Sequence, residues 1–280
     1  MSTGHVLILG AIAGGTIFLG LPIGRLQNLR SEARAGLSAL ATGILLFLLW
    51  DVLSGAVEPI ETKLTERHWG SFAGFSAVGL AGFALGLMGL VYYSEWMKRQ
   101  SNRRATTLVG PGAAALDEFR RRGWVESMTD GQRLSLLIAV GIGVHNFGEG
   151  LAIGQAAATG AASLAVTLIV GFALHNATEG FGICGPMSGE GTRPTWGFLA
   201  LLGVIGGAPT FLGTVLGQAW TSEAVTVAFF AIAAGSILYV VQELFNANRK
   251  YGHTVLVTWL VLAGLVLGFA TDFVIEASGI

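Results

Sequence analysis

Charged residues are scarce in this sequence. Aspartate, glutamate, lysine and arginine together make up 12% of the 280 residues, whereas a soluble globular domain carries roughly 25%. Hydrophobic residues make up 52% of the chain, and the mean hydropathy is +0.66. The shortage of charge excludes an ordinary soluble domain and predicts an integral membrane protein.

Cysteine is almost absent as well. The single cysteine, Cys184, excludes an intrachain disulfide and a metal site built from paired cysteines. The net charge of −1 is not that of a basic nucleic-acid-binding surface, so no nucleic-acid partner is expected. Glycine, in contrast, is abundant. The 42 glycines suit closely packed membrane helices, because small residues let two backbones approach.

The apolar residues are gathered into long runs. A helix needs about 20 apolar residues to cross a bilayer, and eight segments meet this length: 5–24, 36–57, 71–97, 133–158, 162–188, 195–220, 222–247 and 254–276. The sequence therefore predicts one all-α, multi-pass membrane domain over residues 1–280, with eight transmembrane helices, in the plasma (inner) membrane.

The basic residues predict the orientation of these spans. With the N-terminus outside, the loops after spans 1, 3, 5 and 7 and their flanks hold every Lys and Arg except Lys63 and Arg67. Because basic loops stay cytoplasmic, both termini are predicted to lie outside. The one long connection, 98–132, is then a basic cytoplasmic loop between spans 3 and 4.

Two similar polar motifs interrupt the fourth and fifth spans. HNFGEG begins at His145, and HNATEG begins at His175. In each motif the glutamate, Glu149 or Glu179, follows the histidine by four residues, so both side chains share one helix face. Both histidines fall near the bilayer midplane on antiparallel neighbours. The two pairs are therefore expected to converge.

Buried carboxylates need compensation. An acidic residue at mid-membrane costs about 2.5–3.5 kcal/mol even on a lenient insertion scale. Two imidazoles and two carboxylates form a ligand set that suits zinc or another first-row divalent metal, and the amide oxygens of Asn146 and Asn176 can join it. The alternative is a pair of hydrogen-bonded His–Glu couples that hold the helices together.

The glycines near the two motifs and the similarity of the motifs predict the shape of these helices and the symmetry of the fold. Gly148 and Gly150, with Gly180 and Gly182 in the fifth span, are expected to loosen the helices around the site, as in interrupted transporter helices. Matching motifs on oppositely directed helices predict an inverted repeat. With three spans before and three after the central pair, the layout is 3+2+3.

These features resemble the ZIP family of metal-ion transporters, especially its bacterial members, over residues 5–276. The resemblance implies transport of Zn²⁺, or of Fe²⁺, Mn²⁺ or Cd²⁺, into the cytoplasm. It also implies an elevator-type motion in which spans 1, 4, 5 and 6 slide against the others. The metal would be the substrate, with no prosthetic group. The positions that match the family's ligands are His145, Asn146 and Glu149 in span 4, and His175, Asn176 and Glu179 in span 5.

The sequence departs from the family pattern at three places. Gly148 stands where the family usually has proline. Neutral Asn176 and Thr178 stand where a second acidic or histidine ligand is often found. Ala208 precedes Pro209, where members that bind two adjacent metals have an acidic residue. One main metal position is therefore predicted.

Further ionisable or polar residues lie near the ends of the spans. Asp51 and Asp272 occupy the outer parts of spans 2 and 8, where they could guide cations inward. Gln242 and Glu243 lie near the cytoplasmic end of span 7 and could line an exit. The alternative for each is an interfacial residue that reaches water or a basic partner.

Two other functions remain open on sequence alone. An intramembrane metal-dependent hydrolase would need a general base beside an open coordination position, but the motifs read HNxxE rather than HExxH. A metal-gated signalling or structural membrane protein is the other. We predict a transporter rather than an enzyme, with divalent metal ions and membrane lipids as partners. A homodimer is left open.

Overall fold

The structure is a computed structural model of the chain. It describes residues 2–26, 29–106, 128–158, 169, 173, 176–188, 193–219 and 222–278, and all regular secondary structure in these ranges is helical. The α-helices are α1 (Thr3–Gly15), α2 (Ile17–Gly20), α3 (Ser31–Thr65), α4 (Trp69–Thr106), α5 (Asp130–Ala158), α6 (176–184), α7 (Trp196–Ala219), α8 (Glu223–Lys250) and α9 (Thr254–Ser278). Short 3-10 turns follow α2 and α6, at Leu21–Arg25 and Gly185–Met187.

Several of these helices are long and apolar enough to cross a membrane. Within the described ranges there are six: Thr3–Arg25, Ser31–Thr65, Trp69–Trp96, Asp130–Ala158, Trp196–Ala219 and Glu223–Lys250. A shorter apolar helix spans Thr254–Ala270. The prediction of a helical, multi-pass membrane protein is confirmed. The count of eight and the 3+2+3 repeat stay predictions, because part of the fifth span lies outside the described residues. The external position of the termini also stays a prediction.

Two helices are longer than the sequence predicted. α3 has 35 residues and α4 has 38, which correspond to about 53 and 57 Å at 1.5 Å per residue, against a hydrocarbon core of about 30 Å. α4 continues for nine residues into the predicted loop 98–132. The reason is local, because residues 98–106 (KRQSNRRAT) contain good helix formers and neither glycine nor proline. Residues 107–127 of the loop lie outside the described part of the chain.

The helices pack as two groups. The first group consists of α1, α2, α5, α6 and α7: α5 packs along α7, α1 also packs on α7, and α6 meets α2. The second group consists of α3, α4, α8 and α9, in which α3 contacts α9 and α8, and α4 contacts α8. The main contact between the groups is that of α5 with α8.

Glycine allows backbones to touch inside each group. A β-carbon on Gly150 of α5 would overlap the carbonyl of Thr210 on α7, and one on Gly86 of α4 would overlap the carbonyl of Ile232 on α8. The expectation that Gly148 and Gly150 loosen the fourth span was wrong, because α5 runs as one helix from Asp130 to Ala158. The missing side chains serve close packing instead.

Candidate metal centre

Three ionisable side chains meet where α5 faces α6. His145 and Glu149 lie one turn apart on α5, and Glu179 comes from α6. The His145 Nε2 atom lies 3.2 Å from Glu149 Oε1 and 3.7 Å from Glu179 Oε1. Three of the four His and Glu side chains of the two motifs are thus brought together. The fourth, His175, lies outside the described residues.

The cluster is deeply buried. His145, Glu149 and Glu179 are 1%, 2% and 0% exposed, so neither carboxylate can rely on bulk water for solvation. Even with a protonated imidazole, two ionised carboxylates leave the trio with one net negative charge. A buried charge is tolerated when it is paired or coordinates a metal. A bound divalent cation would supply the compensating charge.

Two buried asparagines border the cluster. Asn146 donates from Nδ2 to Glu179 Oε2 and to the Gly206 carbonyl, both at 2.9 Å. Asn176 donates from Nδ2 to the Ala13 carbonyl at 3.0 Å. The Oδ1 atom of each is buried and accepts no hydrogen bond from the described residues. Both amides are therefore held by their nitrogen, which leaves a neutral oxygen as a potential ligand.

The spacing within the cluster suits a tetrahedral ion. Bonds of 2.0–2.2 Å to a tetrahedral zinc ion place neighbouring ligand atoms about 3.4 Å apart. The separations of 3.2 and 3.7 Å from His145 Nε2 to the carboxylates bracket this value. Among the described residues, however, no group of three or more His, Cys, Asp or Glu side chains is arranged to hold a metal ion. The metal-ligand role of the cluster therefore stays a prediction.

Asp51 and Asp272 lie on the second group of helices. Asp51, half-buried on α3, interacts electrostatically with His145 and with Asp272 of α9. Asp51 also interacts with Glu149. An acidic residue of the second group is thus close to the cluster held by the first group.

A cavity of about 490 Å³ lies between the two groups. On α5 its lining includes Asp130 and Arg133, and on α8 it includes Glu243 and Lys250. The structure thus places Glu243 in a polar cavity, whereas Gln242 is exposed and is not part of the lining. Sequence reasoning missed Asp130 and Lys250, although both stand at predicted cytoplasmic span ends.

Backbone groups were also missed at the site. The carbonyls of Ala13 and Gly206 orient the two asparagines, and the Thr16 hydroxyl donates to the Ala173 carbonyl at 2.6 Å. Every residue has a carbonyl, so no sequence signal marks which one will accept such a bond. The Thr16 hydroxyl, a polar group within an apolar run, was the feature in the sequence that could have pointed to this part of the site.

A family model described as ZIP Zinc transporter matches residues 101–276, which is more than half of the chain. A search of curated proteins found no match.

Proposed function

Because the chain belongs to the ZIP zinc transporter family, whose members transport divalent metal cations, we propose that it carries Zn²⁺ into the cytoplasm. Fe²⁺, Mn²⁺ and Cd²⁺ are the alternative substrates. The metal is cargo rather than a resident cofactor.

The observation that carries this proposal is the buried trio of His145, Glu149 and Glu179. Their contacts of 3.2 and 3.7 Å join an imidazole nitrogen to two carboxylates at a depth where unpaired charge is expensive. In the proposed bound state a divalent cation replaces these direct contacts. The Oδ1 atoms of Asn146 and Asn176, and His175 from the fifth span, would join the ligands.

The ligand chemistry favours zinc among the alternatives. Imidazole suits zinc, iron and copper, and carboxylate oxygen extends the range toward manganese. Cys184 is buried, but the described contacts around His145 are made by nitrogen and oxygen. Imidazole nitrogen and carboxylate oxygen are both usual zinc ligands in proteins.

The two groups of helices supply a route. We place the access side at Asp51, which interacts electrostatically with His145, and at Asp272, which interacts with Asp51. We place the exit at the cavity that Glu243 lines. In an elevator-type cycle the first group, which holds the site, slides against the second along the contact of α5 with α8.

The hydrolase alternative gains no support. It requires a general base beside a metal-bound water, and in the described structure both glutamates of the cluster contact His145 directly. A single function, transport, is therefore proposed.

The test replaces both carboxylates isosterically. In purified protein reconstituted into vesicles, Glu149→Gln combined with Glu179→Gln should lower Zn²⁺ uptake by more than about 100-fold, since even outer-shell changes at metal sites cost 10–100-fold. The matched control is Glu32→Gln combined with Glu66→Gln, the same chemistry at exposed positions, which should retain uptake. Undiminished uptake in the first double variant would refute the site.

A further inference from the structure

The side chain of Phe230 lies between the two groups of helices. Phe230 belongs to α8, and its ring faces Gly148 of α5 on one side and Gly55 of α3 on the other. A β-carbon on Gly148 would lie 2.6 Å from the Phe230 Cε1 atom, and one on Gly55 would lie 3.1 Å from its Cδ2 and Cε2 atoms. The ring therefore occupies space that only two glycines leave open.

This contact adjoins the candidate metal centre. Gly148 directly precedes Glu149, and Gly55 lies one helical turn beyond Asp51. Asp51 interacts electrostatically with both His145 and Glu149, so Asp51 lies beside the cluster. The Phe230 ring, at Gly55 and Gly148, borders Asp51 and the site on the side one turn beyond Asp51.

The contacts of α5 with α8 show on which side of the site the ring lies. Along α5, the cavity lining includes Leu134 and Leu137, the site follows at His145, and the Phe230 contact comes at Gly148. Further along, Gln155 donates to the Thr226 hydroxyl at 3.3 Å. The cavity and the Phe230 ring therefore lie at opposite ends of this interface.

A neighbouring aromatic pair closes the same level. The rings of Phe147 on α5 and Phe229 on α8 have centroids 4.4 Å apart. With Phe230 they form a layer of three aromatic rings between the groups. Unlike the backbone contacts of glycines inside each group, this layer consists of side chains, which can change rotamer without moving a helix.

We propose that Phe230 is the gate residue on the access side of the metal centre. It closes the route to Asp51 and Glu149 by filling the gap between Gly55 and Gly148, and it withdraws when α5 and α8 slide apart. In the conformation described, the access side is closed and the opposite side opens into the cavity. This inference rests on the proposed function for its direction, but its test does not use transport.

The experiment measures access to the site from outside. In a Cys184→Ala background, Glu149→Cys places the one thiol at a position that is 2% exposed and next to Gly148. Sealed vesicles with one protein orientation are treated with a membrane-impermeant thiol reagent. Adding Phe230→Ala should raise the labelling rate at least about tenfold, because a minor open state of a closed gate is populated at 10% or less.

Two further variants make the result specific. Phe230→Leu, a smaller change, should give an intermediate rate and keeps the test valid if Phe230→Ala fails to fold. Phe269→Ala is the matched control, because Phe269 packs on Phe47 and Phe273 within the second group. It should leave the rate unchanged.

The outcomes separate this proposal from the proposed function. Equal labelling with and without Phe230, or an equal rise in Phe269→Ala, would overturn the gate. Suppose that Phe230→Ala speeds labelling and Phe269→Ala does not, but that the protein without the cysteine changes takes up no Zn²⁺. The gate would then be supported and the transport assignment would be wrong. Zn²⁺ uptake by the unchanged protein together with unchanged labelling would remove the gate alone.

Discussion

At the scale of single residues, Asn146 connects three helices. Its Nδ2 atom holds Glu179 of α6 and the Gly206 carbonyl of α7, both at 2.9 Å, while its own backbone belongs to α5. One neutral side chain thus orients a carboxylate of the cluster and joins the helices of the first group. Hydrogen bonds to charged groups contribute about 1.5–3 kcal/mol, so this residue affects both the site and its frame.

Asn146→Ala should weaken Zn²⁺ binding by about 10–100-fold, because Glu179 loses the donor that orients it and the site loses a potential oxygen ligand. Titration of purified protein with Zn²⁺ measures this. Asn248→Ala is the matched control. Asn248 is equally buried but lies on α8, where it donates to the Thr42 hydroxyl at 3.0 Å. It should lower stability without changing affinity. An equal loss of affinity in both variants would contradict the role of Asn146.

At the scale of helices, glycines on both α5 and α7 let the backbones of these two helices pack closely together. β-Carbons on Gly154 of α5 and on Gly213 of α7 would each overlap a backbone carbonyl of the partner helix, those of Thr214 and Phe147. Close backbone approach through small residues is the usual means of association in a bilayer, where burial of apolar surface offers little advantage over lipid. The glycines therefore fix the axial register of α7 against α5, the helix that carries His145 and Glu149.

Gly154→Ala should destabilise the protein by about 1–3 kcal/mol, as expected for a methyl group forced into a packed interface. Thermal unfolding in detergent measures this. At Gly74 of α4, no described atom lies within 4 Å of an added β-carbon. The control Gly74→Ala should therefore be neutral or stabilise by up to about 1 kcal/mol through helix propensity. If Gly154→Ala is as stable as Gly74→Ala, then α5 and α7 can move apart at this contact without a loss of stability, and the prediction is wrong.

At the scale of the whole molecule, the helices pack differently within each group than across the interface between the two groups. Inside each group, glycines bring backbone against backbone. Across the main interface, a β-carbon on Gly141 of α5 would lie 3.6 Å from the Ser236 β-carbon, an ordinary contact, and Phe230 fills the gap at Gly148. Closely packed groups with a side-chain interface between them fit the proposed sliding movement.

A disulfide across this interface should stop transport. Gly141→Cys with Ser236→Cys, in a Cys184→Ala background, places β-carbons 3.6 Å apart, within the usual 3.5–4.5 Å. Oxidation should abolish Zn²⁺ uptake, and reduction should restore it. The single variants Gly141→Cys and Ser236→Cys, oxidised in the same way, cannot form this bridge and should leave uptake intact. Full uptake by the oxidised double variant would exclude relative movement at this contact.

Composition and periodicity alone determined much of this protein. Long apolar runs predicted membrane helices, because the requirement of a bilayer for about 20 apolar residues is local. The spacing of His145 and Glu149 placed them on one face, because helix periodicity is local too. The same reasoning failed for Gly148 and Gly150, whose effect depends on what packs against them.

The matched motifs led us to expect Glu179 near His145, but only the tertiary structure decided the other partners and the distances between them. The Gly206 carbonyl receives Asn146, Phe230 fills the gap at Gly148, and Glu179 lies 3.7 Å from His145. Each of these pairs joins residues at least 30 positions apart. Their meeting depends on the axial register and rotation of packed helices, which arise from the sum of many contacts. No local pattern in the sequence specifies that sum.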